Sequence, residues 1–163
     1  IPSSGVNTGR LGFLDEGAKD QSPKTIKQLV NKRFSIDQRT LIKLETEQPL
    51  CSGLNFALNE VTISRKDTTS MITITTYIND QYLNSYWADV LIIATPTGST
   101  GYSLSCGGPI VMPGSENFII TPIAPHNLNV RPLVISDKYE IKVKVMNFVH
   151  FFNLEQCFLQ IES

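Results

Sequence analysis

Residues 70–94 read SMITITTYINDQYLNSYWADVLIIA, and the way their apolar positions repeat decides the fold class. From 70 to 78 the pattern alternates strictly, with Ile72, Ile74 and Ile78 on one face and Met71 and Tyr77 on the other. A period of two is the mark of a half-buried strand. Asn79-Asp80 interrupts the run and supplies a turn, so residues 81–86 return as the second arm of a hairpin. ADVLIIA at 88–94 is a short continuous apolar run, consistent with a strand buried on both faces. Outward from this block, further strands are expected at 40–47, 55–65, 117–122, 131–136, 139–146 and 156–162. In 139–146, Ile141, Val143 and Val145 alternate with Lys142 and Lys144. Val, Ile and Thr make up 41 of the 163 residues, which supports many strands. One amphipathic helix is expected at about 23–34. Ser22-Pro23 is its start signal, Ile26, Leu29, Val30 and Phe34 form its apolar face, and Lys24, Lys27, Lys32 and Arg33 its solvated side. The expected architecture is mainly β, a β-sandwich or similar domain with a short helical appendage at its N-terminal end.

Composition narrows the function classes. A chain of 163 residues suits one domain, or one plus part of a second. With 41% apolar residues it is not a largely disordered chain. No apolar run approaches the ~18 residues of a membrane-spanning helix. Fourteen basic against fifteen acidic residues lack the basic footprint of a nucleic-acid binder. Charged residues are sparse, at 18% against roughly 25% in ordinary domains. The deficit is local: residues 81–134 carry only Asp89, Glu116 and Arg131. Such a stretch is core, interface, or shaped around a ligand. Cys51, Cys106 and Cys157 form no C-x-x-C pair, which argues against a disulfide framework or a zinc site and fits a reducing cytoplasm. Ile1-Pro2-Ser3-Ser4 shows no signal-peptide pattern, and the missing initiator Met suggests a trimmed or partial product.

The standard catalytic strings are missing: no Gly-Lys of a Walker A loop, no G-x-G, no G-x-S-x-G and no H-E-x-x-H. His126 and His150 share no obvious partner. The dense segment is TPTGSTGYSLSCGG at 95–108, in which seven of 14 residues carry hydroxyls and four are Gly. Glycine permits close approach of the backbone to a ligand, and N–H groups with Ser/Thr hydroxyls hold polar ligand atoms. Ser99 is placed to cap a short helix through Tyr102 and Leu104 that stops at Gly107-Gly108-Pro109. A strand–loop–helix of this kind is either a nucleotide site or an elaborate turn. Asn59-Glu60 is the second candidate: an amide able to read an adenine edge beside a carboxylate able to accept ribose hydroxyl protons. Neighbours on a strand point to opposite faces, so both meet one ligand only at a bend or strand end. Asp89, at the head of the apolar run, is either paired or aimed at a ligand.

Together these segments resemble the NAD kinase family. GVNTGRLGFL at 5–14, Asn59-Glu60 in LNEVTISR, TPTGSTGYSLSCGGPIVMP at 95–113 and IAPHNLNVRPLVISD at 123–137 are similar to four of its motifs, in order. The resemblance implies phosphoryl transfer from ATP, with Mg2+ or another divalent metal, to the 2′-hydroxyl of the adenosine ribose of NAD. It also implies a cytoplasmic homodimer or homotetramer without nucleic-acid or membrane partners. Residues 1–35 would end an N-terminal α/β domain, and 36–163 would form the β-rich NAD-binding domain. By the family pattern Asn59, Thr100, Gly101 and Ser105 recognise the adenine end, Phe13 lines that pocket, Glu60 holds the ribose and Tyr102 packs beside the nucleotide. Asp89 and Ala124 lie toward the nicotinamide end, where a subunit contact completes the site.

Two departures stand out. Gly101 replaces the family's Ala, and Asp89-Val90 its frequent Asp-Gly. The family's Gly-Gly-Asp-Gly segment, with the aspartate credited as general base, does not occur in the chain and is expected upstream of Ile1. The chain is therefore expected to carry most of an NAD pocket, no metal ligands, and no turnover of its own. The competing readings are a non-catalytic nucleotide-binding or oligomerising β domain, and a relative acting on another hydroxyl, as lipid kinases do.

Overall fold

In the computed structural model, the hairpin at the centre of the sequence pairs Ile72–Ile78 with Gln81–Ala88. Asn79 and Asp80 both take positive φ, 48° and 63°, the paired left-handed geometry that matches the twist of a tight hairpin. The structure describes residues 22–46, 55–65, 71–126, 129–146 and 159–162. The chain divides into two units, Ile1–Gln38 and Arg39–Ser163.

In the first unit the described element is helix α1, Ser22–Val30, with no buried residue. It is four residues shorter at its end than the apolar spacing suggests. Lys32 enters the left-handed region at φ 54°. The Lys32 amide donates to the Leu29 carbonyl and the Arg33 amide to the Gln28 carbonyl, at 3.0 and 2.9 Å. This pair of bonds is a Schellman stop, which closes the helix before Phe34.

The second unit holds ten described strands: β1 Ile42–Glu45, β2 Phe56–Ala57, β3 Glu60–Ser64, β4 Ile72–Ile78, β5 Gln81–Ala88, β6 Val90–Ala94, β7 Asn117–Ile123, β8 Leu133–Ser136, β9 Ile141–Met146 and β10 Leu159–Glu162. They form a six-stranded sheet, β2-β1-β10-β9-β4-β5, and a four-stranded sheet, β3-β6-β7-β8, with every described pairing antiparallel. Ile42, Ile74, Tyr86, Ile141 and Val143 of the larger sheet meet Leu91, Ile93, Phe118 and Ile120 of the smaller in one fully buried core. This is the expected sandwich, with inner faces alternating against outer ones.

Two of the places where the chain passes from one sheet to the other correct the sequence reading. The stretch 55–65, expected as one strand, breaks at 58–59: β2 pairs with β1 in the large sheet, while β3 pairs with β6 in the small one. The run 88–94 is likewise divided, since Ala88 ends β5 and Val90 opens β6, with Asp89 between. A strand that changes sheets in a sandwich must bend at the corner. The double-sided burial of β6 is as expected. Leu91 and Ile93 face the inter-sheet core, and Ile92 and Ala94 join Ile119 in a second cluster packed by Cys106 and Val111.

Candidate functional site

The segment that leaves β6 is held from inside. Residues 91–99 are all buried. Thr95 makes three connections: its amide donates to the Asn59 carbonyl at 2.8 Å, its hydroxyl donates to the Leu58 carbonyl at 2.6 Å, and Thr95 Oγ1 accepts from the Gly98 amide at 3.1 Å. Residues Thr97–Thr100 then form a 3-10 turn and Tyr102–Ser105 a short helix, α2. Ser99 does not cap that helix, contrary to the sequence expectation, because it lies within the 3-10 turn. Its hydroxyl instead ties two stretches of loop together: its one hydrogen is shared between the Pro96 and Val111 carbonyls, at 2.7 and 3.1 Å, and its oxygen accepts from the Val111 amide at 3.0 Å. Ser103 and Thr121 share a buried hydroxyl contact at 2.8 Å that pins α2 onto β7.

The glycines divide by what stands beside them. A Cβ on Gly98 would lie 2.0 Å from the Asn59 carbonyl oxygen, so the close approach this glycine permits is to the protein's own backbone. A Cβ on Gly101 would stand 3.2 Å from Glu60 Oε2 and 3.2 Å from the Gly98 carbonyl oxygen, a tight fit and not a collision. Gly101 therefore faces the acidic candidate directly.

Asn59-Glu60 sits at the corner between β2 and β3, with Glu60 paired across the sheet to Ala94. The corner is the kind of bend that the sequence reading required if both side chains were to meet one ligand. Asn59 is exposed and Glu60 partly buried. Glu60 Oε2 is buried without a hydrogen-bond partner among the described residues, and burial pushes its carboxyl above the usual range. Thr100 Oγ1 donates to the Thr97 carbonyl at 3.4 Å. Tyr102 and Ser105 are exposed on α2. The structure thus brings Asn59, Glu60, Gly98 and Gly101 together, with Thr100, Tyr102 and Ser105 on the adjoining turns. Phe13 lies outside the described residues.

Asp89 and Ala124 gather at the other end of β6. Five residues of strand separate the two groups, roughly 17 Å at ~3.3 Å per residue. Asp89 is paired: its carboxylate lies 3.2 Å from Arg65 Nη1, its carbonyl accepts from the Arg65 amide, and its amide donates to the Ile123 carbonyl. Ala124 takes φ 48°, an unusual conformation for a residue with a Cβ. Beside them Trp87 and His126 stack, with ring centroids 4.7 Å apart, and the His126 amide donates to the Trp87 carbonyl at 3.0 Å. Sequence reasoning left His126 without a partner and did not single out Trp87, because the two are 39 positions apart and come together only in the folded sheet. It also passed over Thr95, whose signal was its place at the junction of the buried run and the hydroxyl-rich loop. Among the described residues no three His, Cys, Asp or Glu side chains converge as metal ligands. No described helix is long and apolar enough to cross a membrane.

Residues 58–153 match the family described as the ATP-NAD kinase C-terminal domain. The chain is 58% identical over 147 residues to an NAD kinase of Flavobacterium psychrophilum, a match covering 89% of this chain and 50% of that protein. It is 52% identical over 153 residues to an NAD kinase of Cytophaga hutchinsonii, covering 91% of this chain and 52% of that one. Among solved structures it resembles yeast NADH kinase complexed with NADH, with TM-score 0.83, 27% identity, and 96% of this chain covering 49% of the other. It also resembles an NAD kinase from Archaeoglobus fulgidus in complex with ATP, with TM-score 0.78, 28% identity, and 98% of this chain covering 64% of the other. The chain spans about half the length of the curated relatives it matches. With the family model matching more than half of it and relatives above 50% identical over about nine-tenths of it, the chain belongs to the NAD kinase family, and its residues 58–153 correspond to that family's C-terminal domain.

Proposed function

We propose that this chain is the substrate-binding part of an enzyme that transfers the terminal phosphoryl group of ATP to the 2′-hydroxyl of the adenosine ribose of NAD, giving NADP. The observation that carries this reading is the unpartnered carboxylate oxygen of Glu60 at the corner it shares with Asn59, facing Gly101. A buried acceptor without a donor is costly, and a ribose hydroxyl is a donor of the right size. In this arrangement Glu60 holds the ribose, the exposed Asn59 amide reads the adenine edge, and Thr100, Gly101, Tyr102 and Ser105 line the approach. Positioning the acceptor hydroxyl is a large part of what a phosphotransferase contributes.

The remaining parts come from elsewhere in the protein. Mg2+ or another divalent cation accompanies ATP and neutralises phosphate charge. The Arg65–Asp89 and Ala124 group stands a strand's length from Glu60, which supports a homodimer or homotetramer whose second copy completes the nicotinamide end. Residues 1–35 close an upstream α/β domain, and the enzyme works in the cytoplasm. NADP formation from NAD and MgATP is the test, run on this chain and on a version extended upstream to the length of its relatives. The extended protein is expected to turn over and the 163-residue chain is not. In the extended protein Asn59→Ala should raise the KM for NAD by the loss of about 1–3 kcal/mol of hydrogen bonding. An extended protein that binds NAD without forming NADP would refute the kinase reading in favour of a non-catalytic nucleotide-binding domain. An unchanged KM would remove Asn59 from the site.

A further inference from the structure

The two halves of the candidate site come from segments 36 positions apart, Asn59 and Thr95, and something must hold them in register. The sheet does not do so unaided. The β3–β6 ladder ends at Glu60 and Ala94, so Asn59 and the loop after Ala94 both lie beyond the last paired residues. Two hydrogen bonds continue the connection and a third ties it to the turn beyond, all of them made by the amide and the buried side chain of Thr95. The Thr95 amide donates to the Asn59 carbonyl, and its hydroxyl donates to the Leu58 carbonyl while accepting from the Gly98 amide.

Gly98 is the other half of this contact. A Cβ there would stand 2.0, 2.5 and 2.8 Å from the carbonyl oxygen, carbonyl carbon and Cα of Asn59. The loop backbone thus lies directly against the Asn59 backbone, and Thr95 Oγ1 bridges the Gly98 amide to the neighbouring Leu58 carbonyl. Thr95 itself has no exposed surface, so it does not touch a ligand.

We propose that Thr95 is a positioning residue of the nucleotide site: its hydroxyl locks the corner at 58–59 against Gly98, so that Asn59-Glu60 and Thr100-Gly101 face one ligand. This rests on the reading of the site as an NAD pocket. The hydroxyl bond to the Leu58 carbonyl holds the chain where it passes from β2 to β3, the corner that carries Asn59 and Glu60. Freed of that bond, the corner relaxes toward ordinary strand geometry, in which neighbouring side chains point to opposite faces. The Gly98 amide would also lose its acceptor, loosening the turn that carries Thr100 and Gly101.

The test compares Thr95→Val, which removes the hydroxyl at similar shape, with Thr95→Ser, which keeps it, both in the protein extended to the length of its relatives. Thr95→Val is expected to raise the KM for NAD on the order of tenfold and to leave the KM for ATP within about twofold. Thr95→Ser should stay within about twofold of the parent for both. An unchanged KM for NAD in Thr95→Val overturns the proposal. So does a Thr95→Ser protein as impaired as Thr95→Val, since packing of the methyl group would then be the cause. Should Thr95→Val fail to fold, Thr95→Ser decides alone, because a tenfold rise with both bonds retained is incompatible with the lock. Hydrogen exchange read by mass spectrometry gives a measure independent of NAD. Peptides spanning 58–60 and 96–101 should exchange faster in Thr95→Val than in the parent, and equal exchange overturns the lock. A parent protein that forms no NADP would sink the kinase reading instead, and the exchange comparison would still judge Thr95.

Discussion

Glu60→Gln should make the domain more stable at neutral pH while impairing the site. Glu60 Oε2 is buried with no partner among the described residues, and desolvation raises its pKa from 4.5. A fully buried, unsatisfied charged group costs several kcal/mol, but Glu60 is only partly buried and solvent reaches the rest of its carboxylate. About 1 kcal/mol is a reasonable penalty after that discount. Glutamine keeps the length and branching and removes the charge. For a unit the size of Arg39–Ser163, the gain corresponds to a Tm increase of roughly 3–5 °C. The pH dependence supplies the control. A folded-state pKa above the unfolded value means the unfolded chain loses its proton first, so the parent loses stability as pH rises through that window. Below the unfolded value both side chains are neutral and the two proteins should melt together. The gap should open as pH rises through the folded value and then stay level. Thermal unfolding followed by circular dichroism at a series of pH values reads this directly. A Glu60→Gln protein no more stable than the parent at pH 7 would refute the reasoning, as would a gap independent of pH.

Two further predictions come from the loop. Gly98→Ala places a methyl group 2.0 Å from the Asn59 carbonyl oxygen and should cost more than about 3 kcal/mol, whereas Gly101→Ala, with its nearest atoms at 3.2 Å, should cost less than about 1 kcal/mol. Equal denaturant midpoints for the two would contradict the close backbone approach. Ser99→Ala removes a buried hydroxyl that makes three hydrogen bonds and strands the Val111 amide. A loss of about 2–3 kcal/mol in chemical denaturation is expected, and a change under about 0.5 kcal/mol would show that the 99–111 tie is dispensable.

Much of this protein was legible in its sequence because the relevant signals are local. Strict alternation over 70–78 reports a strand with one buried face, and the structure buries Ile72 and Ile74 accordingly. Asn79-Asp80 tolerate positive φ, so the hairpin turn is written in two residues. The continuous run VLIIA is buried on both faces because packed layers lie on both sides of β6. The motifs that resemble the NAD kinase family singled out Asn59, Glu60 and the 95–108 loop, which the structure places side by side at one end of β6.

Tertiary structure decided what alternation cannot express. A period of two reports which side of a strand is buried and not which sheet it joins, so the corners at 58–59 and Asp89 were invisible. Composition likewise cannot separate a glycine that admits a ligand from one that admits the protein's own backbone. Gly98 proved to be the second kind, and Ser99 a tie between loop strands instead of a cap. Asp89 was a lone carboxylate in the sequence and is the partner of Arg65 in space. The candidate site is where these two kinds of information meet: the sequence determined which residues have the chemistry, and the sheet corner decided that Glu60 stands against Gly101 and the Asn59 backbone against Gly98. The physical reason is that side-chain chemistry is a property of each residue, while convergence depends on hydrogen bonds between segments far apart in the chain.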